Sequence, residues 1–184
     1  MFEDPSANET PGMSAALRDE DGVRPAATFY LDDLEVGQRF TSGSLTVTEA
    51  EIKAFAAQFD PQPFHLDRRA AEESVFGELV ASGWHTASLS MRLLVEGELR
   101  IAGGLIGMSG EISWPRPTRP GDVLSVETEV LEVVPSKSRP DRGIATVRST
   151  TLNQHGEPVQ IATFKLMIPR RPVAVPADGR QARG

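Results

Sequence analysis

The stretch SGWHTASLSMRLLV, Ser82 to Val95, carries no acidic residue before Glu96, and it constrains the fold more than any other part of the chain. Trp84, Ala87, Met91 and Leu94 recur at helical spacing on one face, while Leu89 and Leu93 mark another. Apolarity this wide predicts a helix buried on most sides, which needs other elements to cover it. The chain supplies them. After Gly103-Gly104, strands are expected at about 105–114, 123–134, 143–153 and 158–168, separated by turns at Pro115-Arg116-Pro117, Pro120-Gly121-Asp122 and His155-Gly156-Glu157. A strand-like stretch through Phe40 and Leu45 to Val47 comes earlier. It is followed by a capping box, Thr48-Glu49-Ala50-Glu51, and by Ile52, Phe55, Ala56 and Phe59 at i, i+3, i+4 and i+7, which predict a helix over 48–59 with one apolar stripe. Asp60-Pro61 ends it, and a polar, irregular segment to about Leu79 holds at most a helical turn near Arg68–Ser74. Strands gathered after helices indicate an α+β fold, an antiparallel curved sheet wrapped around the helix at 82–96. Four or five strands do not close around a helix, so an open face or edge is expected to take a second subunit.

With 184 residues, 39% of them apolar, the chain forms one core and one domain. Residues 1–27 combine six acids with prolines and glycines and show no apolar period, so a flexible acidic arm is expected there. Residues 169–184, rich in Pro, Ala and Arg, read as a flexible tail, leaving the domain at 28–168. A net charge of −7 argues against general nucleic-acid binding, which needs a cationic face. With no cysteine there is no thiolate metal site, disulfide or cysteine nucleophile, which fits a reducing cytoplasm. No apolar run reaches the roughly 20 residues that span a bilayer, and the first residues lack the features of a signal peptide; no membrane partner is expected.

Three histidines occur, and His65 is the informative one. In Phe59-Asp60-Pro61-Gln62-Pro63-Phe64-His65 two prolines stiffen the backbone between an acid and a base. A carboxylate and an imidazole that reach one water can polarise it for addition to an activated double bond. On spacing alone, a turn capped by Asp60 with a solvated His65 is the favoured reading of these residues. Ser82-Gly83 opens the long helix, where unpaired N–H groups and the helix dipole would polarise a thioester carbonyl, and the missing Cβ would admit a ligand closely. The bland counterpart is an ordinary N-cap followed by a packing glycine. His85 reads as a hydrogen-bonded core histidine in preference to an acyl contact, Trp84 and Met91 as core or pocket wall, and His155 as a solvated turn residue. With these residues no metal site is inferred.

The segment Phe59–His65, followed by Gly77-Glu78-Leu79-Val80-Ala81-Ser82-Gly83-Trp84-His85-Thr86, resembles the signature of MaoC-like dehydratases, the (R)-specific enoyl-CoA hydratase group. The likeness extends over about 30–168 and includes the Arg-Pro-Gly-Asp turn at 119–122. Asp60, Pro63 and His65 match the family's Gly-Asp-x-Asn-Pro-(aliphatic)-His pattern, whereas Phe59, Gln62 and Phe64 depart from it. The resemblance implies a hotdog fold and reversible syn hydration of a trans-2-enoyl thioester of CoA or acyl carrier protein to a 3-hydroxyacyl thioester. Asp60 and His65 would be the catalytic pair and Gly83 the oxyanion donor. Gln62 keeps the family's loop-supporting amide with one extra methylene, and Phe59 is expected to complete the stripe of the first helix. Gln62, Ser82 and Trp84 are the other expected substrate contacts. Coenzyme A, part of the substrate and not a cofactor, carries phosphates that need cations; the candidates are Arg116, Arg119, Lys137, Arg139 and Arg142, with Arg170 and Arg171 ranked below. A homodimer or dimer of dimers is expected. The rival functions are a hotdog thioesterase, whose acid would stand on the central helix, and a binding module without catalysis.

Overall fold

The computed structural model describes residues 28–172. The expected acidic arm at 1–27 lies outside the described residues, as does the expected tail beyond 172. Five strands, β1 (Arg39–Thr46), β2 (Ile106–Ser113), β3 (Val123–Pro135), β4 (Arg142–Leu152) and β5 (Pro158–Pro169), accompany four α-helices, α1 (Glu49–Phe59), α2 (Pro63–Leu66), α3 (Arg68–Glu72) and α4 (Gly83–Glu96), all of which lie between β1 and β2. The strands form one antiparallel sheet in the order β1-β3-β4-β5-β2, with α4 against its concave face.

Local chemistry accounts for these boundaries. Thr48 caps α1, its hydroxyl accepting from Glu51 N–H at 3.2 Å while the Glu51 carboxylate accepts from Thr48 N–H at 2.9 Å. The segment after Asp60, expected to be irregular, holds two short helices. Pro63 fits the first turn of α2, and Asp67 caps α3 by accepting from Ala70 N–H at 2.9 Å. Gly121, at φ +89°, makes the turn that β3 needs and donates to Val47 O at 2.7 Å, tying the start of β3 to the start of α1.

Two apolar clusters fill the interior. One gathers Leu31, Phe40, Val130, Val147 and Ile168; the other gathers Val47, Ile52, Leu93, Leu124 and Val159. Buried hydroxyls join α4 to the sheet segments: Thr86 donates to Thr118 at 3.0 Å, and Ser90 and Thr151 share a hydrogen bond of 2.7 Å. Each satisfies groups that would be costly to bury unpaired.

Three expectations change. Only one side of α4 is covered, by His85, Thr86, Ser90 and Leu93, while Trp84, Met91 and Val95 remain exposed, because a single sheet screens a single face. Phe59 does not complete the buried stripe of α1. It is 63% exposed and lies against Phe55, since Ile52 and Ala56 already fill the space over the core. Nor does the domain end at 168: β5 runs through Pro169, Arg170 Nε donates to Asp32 at 2.8 Å, and Arg171 pairs with Asp33 at 2.7 Å and lies over the Tyr30 ring.

Ile52→Ala is expected to cost about 3 kcal/mol, the price of a cavity in a packed core, whereas Phe59→Ala should cost under about 1 kcal/mol. Urea denaturation of the two variants checks the contrast; similar losses would return Phe59 to the core.

Candidate active site

Asp60 ends α1, its N–H still donating to Ala56 O at 3.0 Å, and the proline-stiffened link turns the chain straight into α2. That turn brings the imidazole of His65 back beside the carboxylate. His65 is only 4% exposed. Its Nδ1 lies 2.8 Å from Val80 O; a carbonyl only accepts, so Nδ1 carries the proton. Nε2 therefore faces Asp60 Oδ2, 3.4 Å away, through its lone pair when the ring is neutral. Gln62 Nε2 donates to Asp60 Oδ1 at 2.8 Å, so the extra methylene relative to the family pattern still lets the amide reach the acid.

Val80 to Ser82 forms the opposite wall. Ala81 N–H donates to Thr118 O at 2.8 Å, which fixes this segment against the loop before β3. Ser82 is fully buried and caps α4, accepting from Trp84 N–H at 3.2 Å. Its hydroxyl beside Asp60 holds that carboxyl below the ordinary value of 3.8, against the opposing effect of burial; the Gln62 amide and the charge of His65 act in the same direction as the hydroxyl. As first residue of α4, Gly83 has an N–H without an intrahelical partner, at the positive end of the helix dipole. Asp60, His65 and Gly83 share a cleft of about 500 Å³, lined also by Phe64, Phe76, Trp84, Trp114 and Arg116.

Trp114 has no counterpart in the sequence reading. A Cβ on Gly83 would stand 2.9 Å from its Cε2, so the space over Gly83 expected to admit a ligand is taken by the indole. The only sequence signal was a large aromatic residue directly before Pro115-Arg116-Pro117. Trp84, at 61% exposure, is not core; it meets Trp114 edge to face at 5.6 Å on the cleft wall.

His85 is buried, but against the expected hydrogen bond its Nδ1 finds no partner among the described residues. The ring stacks on Phe55 at 4.7 Å, off the cleft, and burial pushes its pKa down. His155 is exposed in its turn, as expected. Of the expected phosphate contacts, Arg116 alone lines the cleft, 3.5 Å from Glu157. The Arg119 side chain is paired with Glu78 instead, and its N–H donates to Asp122. Lys137 and Arg139 lie on the β3–β4 turn and Arg142 opens β4, all at the far end of the 13-residue β3, roughly 40 Å along it from the cleft, so the chain does not bring them to its own site. Arg170 and Arg171 are committed to Asp32 and Asp33. Among the described residues, no group of three or more His, Cys, Asp and Glu side chains is placed to hold a metal ion, and no helix is long and apolar enough to cross a membrane.

A curved antiparallel sheet around one long helix defines the chain as a hotdog-fold protein. The family model for the MaoC-like domain matches residues 34–153, and the chain belongs to that family. A crystal structure of a MaoC-like dehydratase from Rhodospirillum rubrum is similar with a TM-score of 0.77 and 60% identity, over 79% of this chain and 99% of that one. The unliganded R-hydratase PhaJ1 of Pseudomonas aeruginosa is similar with a TM-score of 0.62 and 27% identity, over 80% and 97% of the two chains. A 3-hydroxybutyryl-CoA dehydratase of Methylorubrum extorquens is 34% identical over 116 residues, 60% of this chain and 69% of that protein.

Because the folded-state pKa of Asp60 is lowered, its ionisation stabilises the fold fully above pH 3.8, and this contribution is lost as pH falls through the folded value. Ser82→Ala should raise that pKa towards its ordinary value and shift the acid loss of stability to higher pH. Carbon-detected NMR titration of the Asp60 carboxyl measures the first effect, and urea melts at a series of acid pH values the second.

Proposed function

We propose that this protein is an acyl-thioester hydratase or dehydratase, adding water reversibly to a trans-2-enoyl thioester of CoA or acyl carrier protein to give the 3-hydroxyacyl thioester. The observation that carries the reading is the 3.4 Å approach of His65 Nε2 to Asp60 Oδ2 in the cleft that also holds Gly83. A water donating one hydrogen to each of these acceptors would turn its oxygen lone pair towards the substrate. The oxygen bonds to Cβ, a water proton passes to the Asp60–His65 pair, and the pair returns a proton to Cα on the same face. H and OH add syn, and the pair ends as it began. Negative charge developing on the thioester oxygen is met by the Gly83 N–H at the helix terminus. Only water and the thioester are consumed, with CoA entering as part of the substrate. Arg116, at the cleft, is the cation suited to a CoA phosphate.

The likeness to a 3-hydroxybutyryl-CoA dehydratase supports a short acyl chain. The thioesterase reading is disfavoured by α4, which has no acid before its last residue, Glu96. A homodimer or dimer of dimers is supported by the exposed Trp84, Met91 and Val95 on α4 and by the outer edge of β2, which carries Ile106 and Met108 in the open.

With crotonyl-CoA, loss of the conjugated chromophore without release of thiol is expected. Asp60→Asn and His65→Gln should each lower kcat by about 100-fold or more while the protein stays folded by circular dichroism. Thiol release would identify a thioesterase, and unfolding of both variants would make the pair structural. Light scattering should find at least a dimer; a monomer would remove the self-association reading.

A further inference from the structure

We propose that Trp114 is a positioning residue of this reaction, pinned by Gln160 so that the thioester is held in register with the Gly83 N–H; the inference rests on the hydratase reading above. Trp114 follows the last residue of β2 and leads into a proline-rich loop, a place where a large side chain would ordinarily have several orientations. Here three contacts remove that freedom. Indole Nε1 donates to Gln160 Oε1 at 2.9 Å. The ring presses on Gly83, at a distance that leaves no room for a Cβ. Its far side meets the Trp84 ring.

Gln160 is a costly residue to place where it is. It is 3% exposed near the start of β5, paired in register with Thr151, whose hydroxyl bonds Ser90 of α4. A buried amide in a strand that otherwise turns Val159 and Ala162 inward needs partners, and the indole N–H supplies one. The hydrogen bond therefore transmits the rigid position of the sheet to a half-exposed aromatic wall beside the helix terminus. A planar enoyl thioester accepting from Gly83 N–H has to lie along that wall. Chain atoms distant from the reacting centre are held elsewhere, so freeing the indole disturbs alignment more than affinity.

The experiment is a double-mutant cycle with crotonyl-CoA. Trp114→Phe keeps an aromatic ring without the N–H, and Gln160→Met keeps the length of the side chain without the acceptor. Each single variant should lower kcat by about 10- to 100-fold with KM changed by less than about threefold. The pH profile of kcat should keep its shape. The double variant should be no worse than the more impaired single variant, because both changes break one contact. The proposal is overturned by wild-type kcat in Trp114→Phe, by losses that multiply in the double variant, or by losses confined to KM. These outcomes leave the hydratase reading intact. A wild-type protein that does not hydrate crotonyl-CoA or longer enoyl thioesters removes both. Because Trp114 is on the surface, Trp114→Phe stays interpretable even if Gln160→Met unfolds.

Discussion

The hydrogen bond from His65 Nδ1 to Val80 O, made where almost no water reaches, is the interaction on which the site depends. It joins segments 15 residues apart and fixes the imidazole in both orientation and tautomer, leaving Nε2 for Asp60. Two residues beyond the accepting carbonyl stands Ser82, which caps α4 and lowers the pKa of Asp60. Base, acid and helix terminus thus hang on one short extended segment. A shift of that segment would move all three together.

The sheet is what keeps the segment still. Ala81 N–H binds Thr118 O, Thr118 also receives the Thr86 hydroxyl from α4, and the following turn is tied to Val47 through Gly121. Buried hydroxyl pairs between helix and sheet fix the position of α4 along its length as well as its depth, which apolar contact alone specifies weakly because it has no direction. The same rigidity passes through Gln160 to Trp114, and it gives Gly83 a structural meaning: the residue is small because an indole rests on it.

Much of the fold was legible in the chain. The strand positions agree with the expected ones to within a residue or two, since each is bounded by prolines or glycines whose backbone preferences are local. The capping box placed the start of α1 for the same reason. The short helix α2 was missed although Pro63 announces it, because it is too short to show an apolar period, whereas α3 falls where a helical turn near Arg68–Ser74 was expected. Asp60 and His65 stood out because two prolines separate them, yet their spacing alone favoured a solvated turn. The Val80 carbonyl, 15 residues on in an irregular segment, is what takes His65 out of solvent.

Sequence by itself determined what is local: where elements begin and end, that one helix would be mostly apolar, and that an acid, an amide and a base sit on a stiff link. Tertiary structure alone decided which sides of those elements see water. It left Phe59 and one face of α4 in the open, since a single sheet covers only one side, and sent Arg119 and Arg139 away from the cleft. It also brought Gln160, 46 positions on, to Trp114, and the Trp114 ring onto Gly83. Periodicity describes a residue's position on its own element; which neighbour it meets depends on how elements distant in sequence are packed, and no local pattern encodes that.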